Sequence, residues 1–222
     1  MSDSPVIAFI NKATDLILLN FIWIICCIPV FTIGAATSAM YYVCIISILQ
    51  GDGYVVRRFF KAFKENFAKS TIVWLCILVL VALGIVDVVF WTKMGGSISR
   101  LMIAVSVAIL IIILMICEYI YPVMAKFEGD IKTCIKNAAA MAVGYLPYTV
   151  VILVIDAVAV IVNLKTVAAN VVMVFVGFAL ITYVKSFLFY KVFMNHMDER
   201  FDDFEREKRL DEAMSSGDTE EV

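Results

Sequence analysis

The feature that most limits how this chain can fold is Leu16–Leu49, a stretch of 34 residues without a charged side chain. As one straight helix it would be about 51 Å long, at about 1.5 Å per residue. A bilayer's hydrocarbon core is only about 30 Å thick. Pro29 and Gly34 lie near the middle, where proline breaks a helix and glycine loosens the backbone. We therefore predict two short spans, 16–32 and 34–50, joined by a hairpin.

The alternative for this stretch is a single broken helix. It would give five spans instead of six and place the N-terminus on the opposite side of the membrane. Every side chain from Gly34 to Ala39 is small. Small residues let membrane helices approach closely, so the second helix of the hairpin is predicted to pack tightly against a neighbour.

The rest of the chain predicts an all-α, polytopic transmembrane bundle. Hydrophobic residues make up 63% of the sequence and charged residues 17%, too apolar for a soluble domain. The apolar runs are continuous rather than alternating, which favours helices over a barrel. Four further spans are predicted, at 71–91, 101–124, 138–163 and 167–190, the third of them interrupted at residues 144–147. Together they form one domain, 1–195, followed by a charged tail, 196–222, that we expect to begin as a helix.

The distribution of lysine and arginine sets the predicted orientation. The loops at 51–70 and 125–137 carry five and three basic residues, whereas the opposite side holds only Lys93, Arg100 and Lys165. Basic loops stay in the cytoplasm. The two basic loops are therefore cytoplasmic, and so are the C-terminal tail and, with six spans, the N-terminus.

Two ionisable residues within the predicted spans lie at similar depth on the cytoplasmic side. Glu118 precedes Lys126 by eight residues, and Lys185 precedes Lys191 by six. Charges inside a membrane are costly and need partners. We predict a Glu118–Lys185 ion pair that locks two helices, with a role in a substrate or proton path as the functional alternative.

Two carboxylates, Asp87 and Asp156, are predicted to lie towards the outer face, where Lys93, Arg100 and Lys165 would be nearby cations. One interpretation is an outer vestibule for hydroxyl-rich or cationic solutes. The other is solvation by interfacial water.

The connector at 51–70 is predicted to be an amphipathic cytoplasmic helix. Phenylalanines cluster at helical spacing, and basic residues occupy much of the rest. This pattern is typical of a helix that lies in the membrane interface, although basic amphipathic helices also dock partner proteins. The residues concerned are Arg57, Arg58, Phe59, Phe60, Lys61, Phe63, Lys64, Phe67 and Lys69.

Two segments, NFIWIICCIPVFTIGAATSAMYYV at 20–43 and GYVVRRFFKAFKENFAKSTIVWL at 53–75, resemble the YesL-like family of bacterial integral membrane proteins. The resemblance implies a bacterial plasma membrane and an association with carbohydrate-utilisation loci that encode sugar ABC transporters. The family's molecular function is not established. The pattern falls on Pro29, Thr32, Gly34, Ala35, Ala36, Tyr41 and Tyr42, and on Gly53, Tyr54, Phe59, Phe60, Lys61 and Phe63.

No sequence motif indicates an enzyme, a cofactor or a metal site. The only histidine, His196, follows the last span, and the chain lacks HExxH, GxSxG, P-loop and CxxC motifs. A net charge of −2 gives no reason to expect a nucleic-acid partner. We predict a non-enzymatic accessory or permease-like component of carbohydrate or solute uptake. The alternative is a membrane scaffold or regulator that binds a cytoplasmic partner through its basic connector and acidic tail.

The expected partners are the lipid bilayer and a sugar ABC transporter or another membrane protein. The oligomeric state is left open.

Overall fold

The computed structural model describes residues 5–50, 54–127 and 129–194, and within these ranges it contains helices and no strand. The elements are α1 (Pro5–Cys27), a 3₁₀ turn (Val30–Thr32), α2 (Ile33–Gln50), α3 (Val55–Met94), α4 (Ser97–Lys126), α5 (Ile131–Gly144), α6 (Leu146–Lys165), α7 (Val167–Val172), a π-turn (Met173–Gly177) and α8 (Phe178–Met194). The predicted helical tail, 196–222, lies outside the described residues.

Within the described ranges, six helical stretches are long and apolar enough to cross a bilayer, which confirms the predicted helical membrane protein with six segments. They are Phe9–Cys27, Val30–Ile48, Val55–Met94, Ser97–Lys126, Leu146–Lys165 and Val167–Phe193. The last of these combines α7, the π-turn and α8. The chain is therefore a multi-pass membrane protein.

The first two helices form the predicted hairpin rather than one broken helix. The Trp23 indole Nε1 donates to Thr37 Oγ1 at 3.3 Å, and Leu16 lies near Ser47, so α1 and α2 run antiparallel. The hydroxyl of Thr32 donates to the carbonyl oxygen of Cys26 near the end of α1 (2.5 Å), and it also lies 2.6 Å from the carbonyl oxygen of Pro29, which accepts the backbone N–H of Thr32. This bond stabilises the turn.

Helix α2 lies at the centre of the bundle and packs against α3, α4 and α8. Its small residues are fully buried: Ala35, Ala36, Ser38 and Ala39. A Cβ atom at Gly34 would lie 2.5 Å from the backbone oxygen of Ser70 and 2.7 Å from Cβ of Trp74, both on α3. The small-residue stretch thus brings α2 and α3 together, as predicted.

The connector does not form a separate helix at the membrane interface. It is the start of α3, a single helix of 40 residues, about 60 Å long at about 1.5 Å per residue. Phe59 is completely buried against the α1–α2 hairpin and Phe63 is half-buried, whereas Phe60 is exposed. The aromatic face was predicted to contact lipid, but half of it packs inside the protein, because the small side chains of α2 leave room for large rings.

The predicted segment 138–163 is divided between two helices, α5 and α6, at the interruption predicted for residues 144–147. The helix is interrupted at Tyr145, and Pro147 occupies the first turn of α6, where its missing N–H costs nothing. Helix α5 packs against the C-terminal part of α4. The hydroxyl oxygen of Tyr119 (α4) is 2.9 Å from Thr149 Oγ1 (α6). The Thr149 hydroxyl donates to the carbonyl oxygen of Ala142 (α5).

Candidate functional site

Three helices bring three charged side chains together inside the bundle. Nζ of Lys185 (α8) lies 2.8 Å from Oε2 of Glu118 (α4) and 2.5 Å from Oδ1 of Asp156 (α6). Only 7% of the Lys185 side chain is exposed, against 16% for Glu118 and 32% for Asp156. We call these three residues the charged triad.

The charged triad leaves polar atoms without partners. A buried ammonium group is stabilised by carboxylates close to it, but one lysine balances only one of the two carboxylates. Within the described part of the chain, Oδ2 of Asp156 and the hydroxyl of Tyr121 are buried and have no hydrogen-bond partner. Buried polar atoms are normally paired; the hydroxyls of Ser38 and Ser70 also lack a partner among the described residues, but only Tyr121 and Asp156 of these four residues line the cavity described next.

A cavity of about 650 Å³ lies next to the charged triad and is partly open to the outside of the bundle. All three triad residues and Tyr121 line it, with contributions from α2, α3, α4, α6 and α8. Most of the remaining wall is apolar or aromatic: Tyr41, Trp74, Ile77, Val81, Leu110, Ile113, Leu114, Val160, Met173, Phe178 and Ile181. The site therefore combines a polar end with a long apolar surface.

The structure brings Glu118 and Lys185 together and adds a residue that was expected elsewhere. Asp156 was predicted to lie near the outer face, beside Lys165, but it binds Lys185 instead. The reason is the break at Tyr145. Because α6 begins only at Leu146, Asp156 is at the middle of the helix rather than near its outer end.

The predicted outer vestibule with two carboxylates is not formed, because Asp87 lies apart from the charged triad. Its carboxylate accepts hydrogen bonds from Trp91 Nε1 (3.1 Å) and from the hydroxyl of Ser106. The Trp91 bond lies within α3 and the Ser106 bond joins α3 to α4, and Asp87 does not line the cavity. In the described structure, Asp87 connects two helices.

A second intramembrane polar cluster is centred on Asn20, which the sequence marks only as one of several uncharged polar residues in the spans. Asn20 of α1 is fully buried. Its Nδ2 donates to the carbonyl oxygens of Met173 (3.3 Å) and Val174 (2.7 Å), and its Oδ1 accepts from the backbone N–H of Ala179 (3.0 Å). A π-turn disturbs the regular helical hydrogen bonding, and Asn20 partners groups at and just beyond this one. The only sequence signal was a single asparagine in an uncharged run.

The motif residues at the N-terminal end lie in the hairpin turn and along α2, and of these Tyr41 lines the cavity. Pro29, Thr32 and Gly34 form the hairpin turn and its close contact with α3. Tyr41 lines the cavity, and its ring meets that of Phe189 edge to face, with centroids 5.6 Å apart. Tyr42 is half-buried on the same helix.

The basic residues of the predicted docking helix lie along the start of α3. Arg57, Lys61 and Lys64 are exposed there, whereas Arg58 is half-buried. Within the described ranges no three His, Cys, Asp or Glu side chains are grouped so that they could hold a metal ion. His196 lies outside those ranges.

Comparison with known proteins gives a match to one family model, that of a protein of unknown function, DUF624, over residues 16–88. No curated protein and no solved structure matches the chain. The matched region contains both segments that resemble the YesL-like family, and it extends from α1 through most of α3. It ends before Glu118, Asp156 and Lys185, so the family match says nothing about the charged triad.

Proposed function

We propose that this chain is a non-enzymatic membrane protein of solute uptake, either permease-like or accessory to a transporter, and that the cavity is its solute-binding site. One observation carries the proposal: Lys185 is buried between Glu118 and Asp156 at the polar end of a partly open cavity of about 650 Å³. Ionisable groups inside a membrane bundle mark substrate or ion pathways.

The free-energy cost of burying the charged triad favours solute binding over a purely structural role. A buried ion pair contributes little net stability compared with apolar packing of the same volume. A third charge and a carboxylate oxygen without a partner, Oδ2 of Asp156, add a further penalty. Asn20 connects helices without any net charge, so holding helices together does not require a charged triad.

The cellular setting follows from the sequence. Basic loops indicate a cytoplasmic C-terminus, and the YesL-like resemblance supports a bacterial plasma membrane and a connection with carbohydrate uptake. The orientation can be tested with Ser4→Cys, which precedes the first span (Phe9–Cys27), in a cysteine-free variant labelled by a membrane-impermeant maleimide. We expect labelling only after the cytoplasmic side is opened, and labelling from outside intact cells would exclude this topology.

Reconstitution tests the solute-binding role. The purified protein in proteoliposomes should either transport a radiolabelled sugar itself or, as an accessory, co-purify with an ABC transporter and increase its flux. Asp156→Asn should reduce that activity, and Asp87→Asn is the matched control because Asp87 is an intramembrane carboxylate outside the cavity. Absence of both activities, or equal effects of the two variants, would contradict the proposal.

The scaffold alternative is favoured by a different surface. Arg57, Lys61 and Lys64 are exposed along the first turns of α3, where they could bind an acidic partner or anionic lipid. Replacing all three by glutamate should release a cytoplasmic partner while the protein remains in the membrane. Retention of every co-purifying protein would argue against a docking role.

A further inference from the structure

We propose that the cavity binds an organic monocation with an apolar body, and that the cationic centre lies beside Asp156 and Tyr121. The inference rests on the proposed function only in that the cavity holds a solute. It adds the chemical class of that solute, which neither the family match nor the resemblance supplies.

The charged side chains that line the cavity do not balance one another. Glu118 and Asp156 are the acidic residues that line it and Lys185 is the basic one, so the ionised site holds one excess negative charge. The linings from α2 and α3 contain no charged side chain. One added monocation brings the net charge of the ionised site to zero. A bound monoanion would instead raise it from one to two negative charges, which is costly at low dielectric.

Two residues that line the cavity have an oxygen atom without a hydrogen-bond partner among the described residues. Lys185 already occupies Oε2 of Glu118 and Oδ1 of Asp156. The described residues provide no partner for Oδ2 of Asp156 or for the hydroxyl of Tyr121. Tyr121 is only 8% exposed. Both groups can present oxygen lone pairs to a cation, so a positively charged centre would be stabilised without displacing Lys185.

The walls of the cavity exclude a fully hydrated ion and suit a ligand with an apolar body. Beyond the polar end the lining is mainly aliphatic and aromatic. Trp74, Tyr41 and Phe178 contribute rings, and a cation is attracted to the face of such a ring. Apolar groups gain free energy when they leave water for a surface of this kind. A small inorganic cation would use none of that surface.

Two rigid ions of the same shape and opposite charge test the proposal directly. Tetraphenylphosphonium and tetraphenylborate are each incubated with the protein in lipid nanodiscs, and empty nanodiscs are used to subtract partition into lipid. We expect saturable binding of the phosphonium and no saturable binding of the borate. Equal binding of both ions, or of neither, would overturn the proposal.

Variants locate the bound cation. Asp156→Asn retains the Lys185–Glu118 pair, so we expect a folded protein that binds the phosphonium about tenfold or more weakly, which corresponds to about 1.4 kcal/mol. Asp87→Asn, outside the cavity, should bind like the unmodified protein. Unchanged affinity in Asp156→Asn would overturn the assignment. If that variant does not fold, the unmodified protein is used to measure competition between the phosphonium and an uncharged solute of similar size. Efficient displacement of the phosphonium by the neutral compound would overturn the requirement for a positive charge.

The outcome is separable from that of the proposed function. Transport or ABC-transporter stimulation with a neutral sugar, together with no phosphonium binding, would preserve a solute-uptake role and overturn only the monocation. Saturable phosphonium binding without any sugar-linked activity would support the monocation and reject carbohydrate as the solute.

Discussion

Asn20 on the hairpin side and the charged triad on the cavity side differ in how completely their polar atoms are paired. On the hairpin side, α1 and α2 pack closely against α3 and the π-turn, and Asn20 makes three hydrogen bonds with no net charge. On the cavity side, Lys185 faces two carboxylates, and Oδ2 of Asp156 has no partner within the described residues.

This difference separates structural from functional polarity inside a membrane. Unpaired polar groups are expensive where no water can reach them, so a cluster that serves only stability should be complete, as that of Asn20 is. A cluster that has unpaired polar atoms and borders an open cavity is stabilised when a ligand pairs with those atoms. The following predictions test whether the two sides differ in this way.

The largest effect is expected for Lys185→Met. Methionine removes the ammonium group and leaves Glu118 and Asp156 close together without a countercharge. Breaking one partner out of a buried ion pair typically costs about 3–5 kcal/mol. We expect a loss of that size in the free energy of unfolding, measured by SDS-induced unfolding in mixed micelles at neutral pH.

The matched control for Lys185→Met removes the carboxylates as well. The triple variant Lys185→Met, Glu118→Gln, Asp156→Asn carries no charge at the site, so most of the lost stability should return. Ligand binding should not return with it. If the triple variant is no more stable than Lys185→Met, the charges are not what destabilises the single variant.

The second largest effect is expected for Asn20→Leu on the hairpin side. Leucine has a similar size but removes the three hydrogen bonds to the backbone at and just beyond the π-turn, and a buried polar group left unpaired costs about 1–3 kcal/mol. Because interhelical hydrogen bonds in membranes average about 0.6 kcal/mol, we expect a total loss of about 2–4 kcal/mol in the same unfolding measurement.

Asn163→Leu is the control for Asn20→Leu. Its Nδ2 donates only to the carbonyl oxygen of Ala159 on its own helix, at 3.1 Å, and the residue is half-buried. This variant should change stability little. Similar losses for both asparagines would show that the link between α1 and the π-turn has no special importance.

A smaller loss is expected for Gly34→Ala, which tests the close packing of α2 on α3. The added methyl would lie 2.5 Å from a backbone oxygen of α3, which cannot move away as a side-chain end can. Overpacking of this kind costs about 1–3 kcal/mol. Thermal unfolding in detergent should report it, and Gly144→Ala, where the methyl meets nothing within 4 Å, should be neutral. A neutral Gly34→Ala would mean that α2 and α3 separate easily.

The sequence was sufficient for the hairpin and for one ion pair. A charge-free run longer than one span has to turn, and Pro29 with Gly34 offered the place. Glu118 and Lys185 were paired because both were counted from basic residues at the same membrane face. Both inferences use position along a helix, which hydropathy and loop charges report well.

The parts that could not be predicted depend on irregular backbone or on neighbours. An interruption at 144–147 was predicted, but its effect on the depth of Asp156 was not. The π-turn that Asn20 binds has no hydropathy signal. The amphipathic pattern around Phe59 is the same whether the rings face lipid or protein. Only the packing against α2 distinguishes the two environments.

The smallest effects come from two buried tyrosines on α4 that differ in their partners. The hydroxyl of Tyr119 is 2.9 Å from Thr149 Oγ1, so Tyr119→Phe should cost about 1 kcal/mol of unfolding free energy. The hydroxyl of Tyr121 has no partner in the described structure, so Tyr121→Phe should leave stability unchanged or slightly increase it. In phosphonium binding the order should reverse, with the larger loss for Tyr121→Phe. The same order in both measurements would mean that the cavity side, like the hairpin side, is built only for stability.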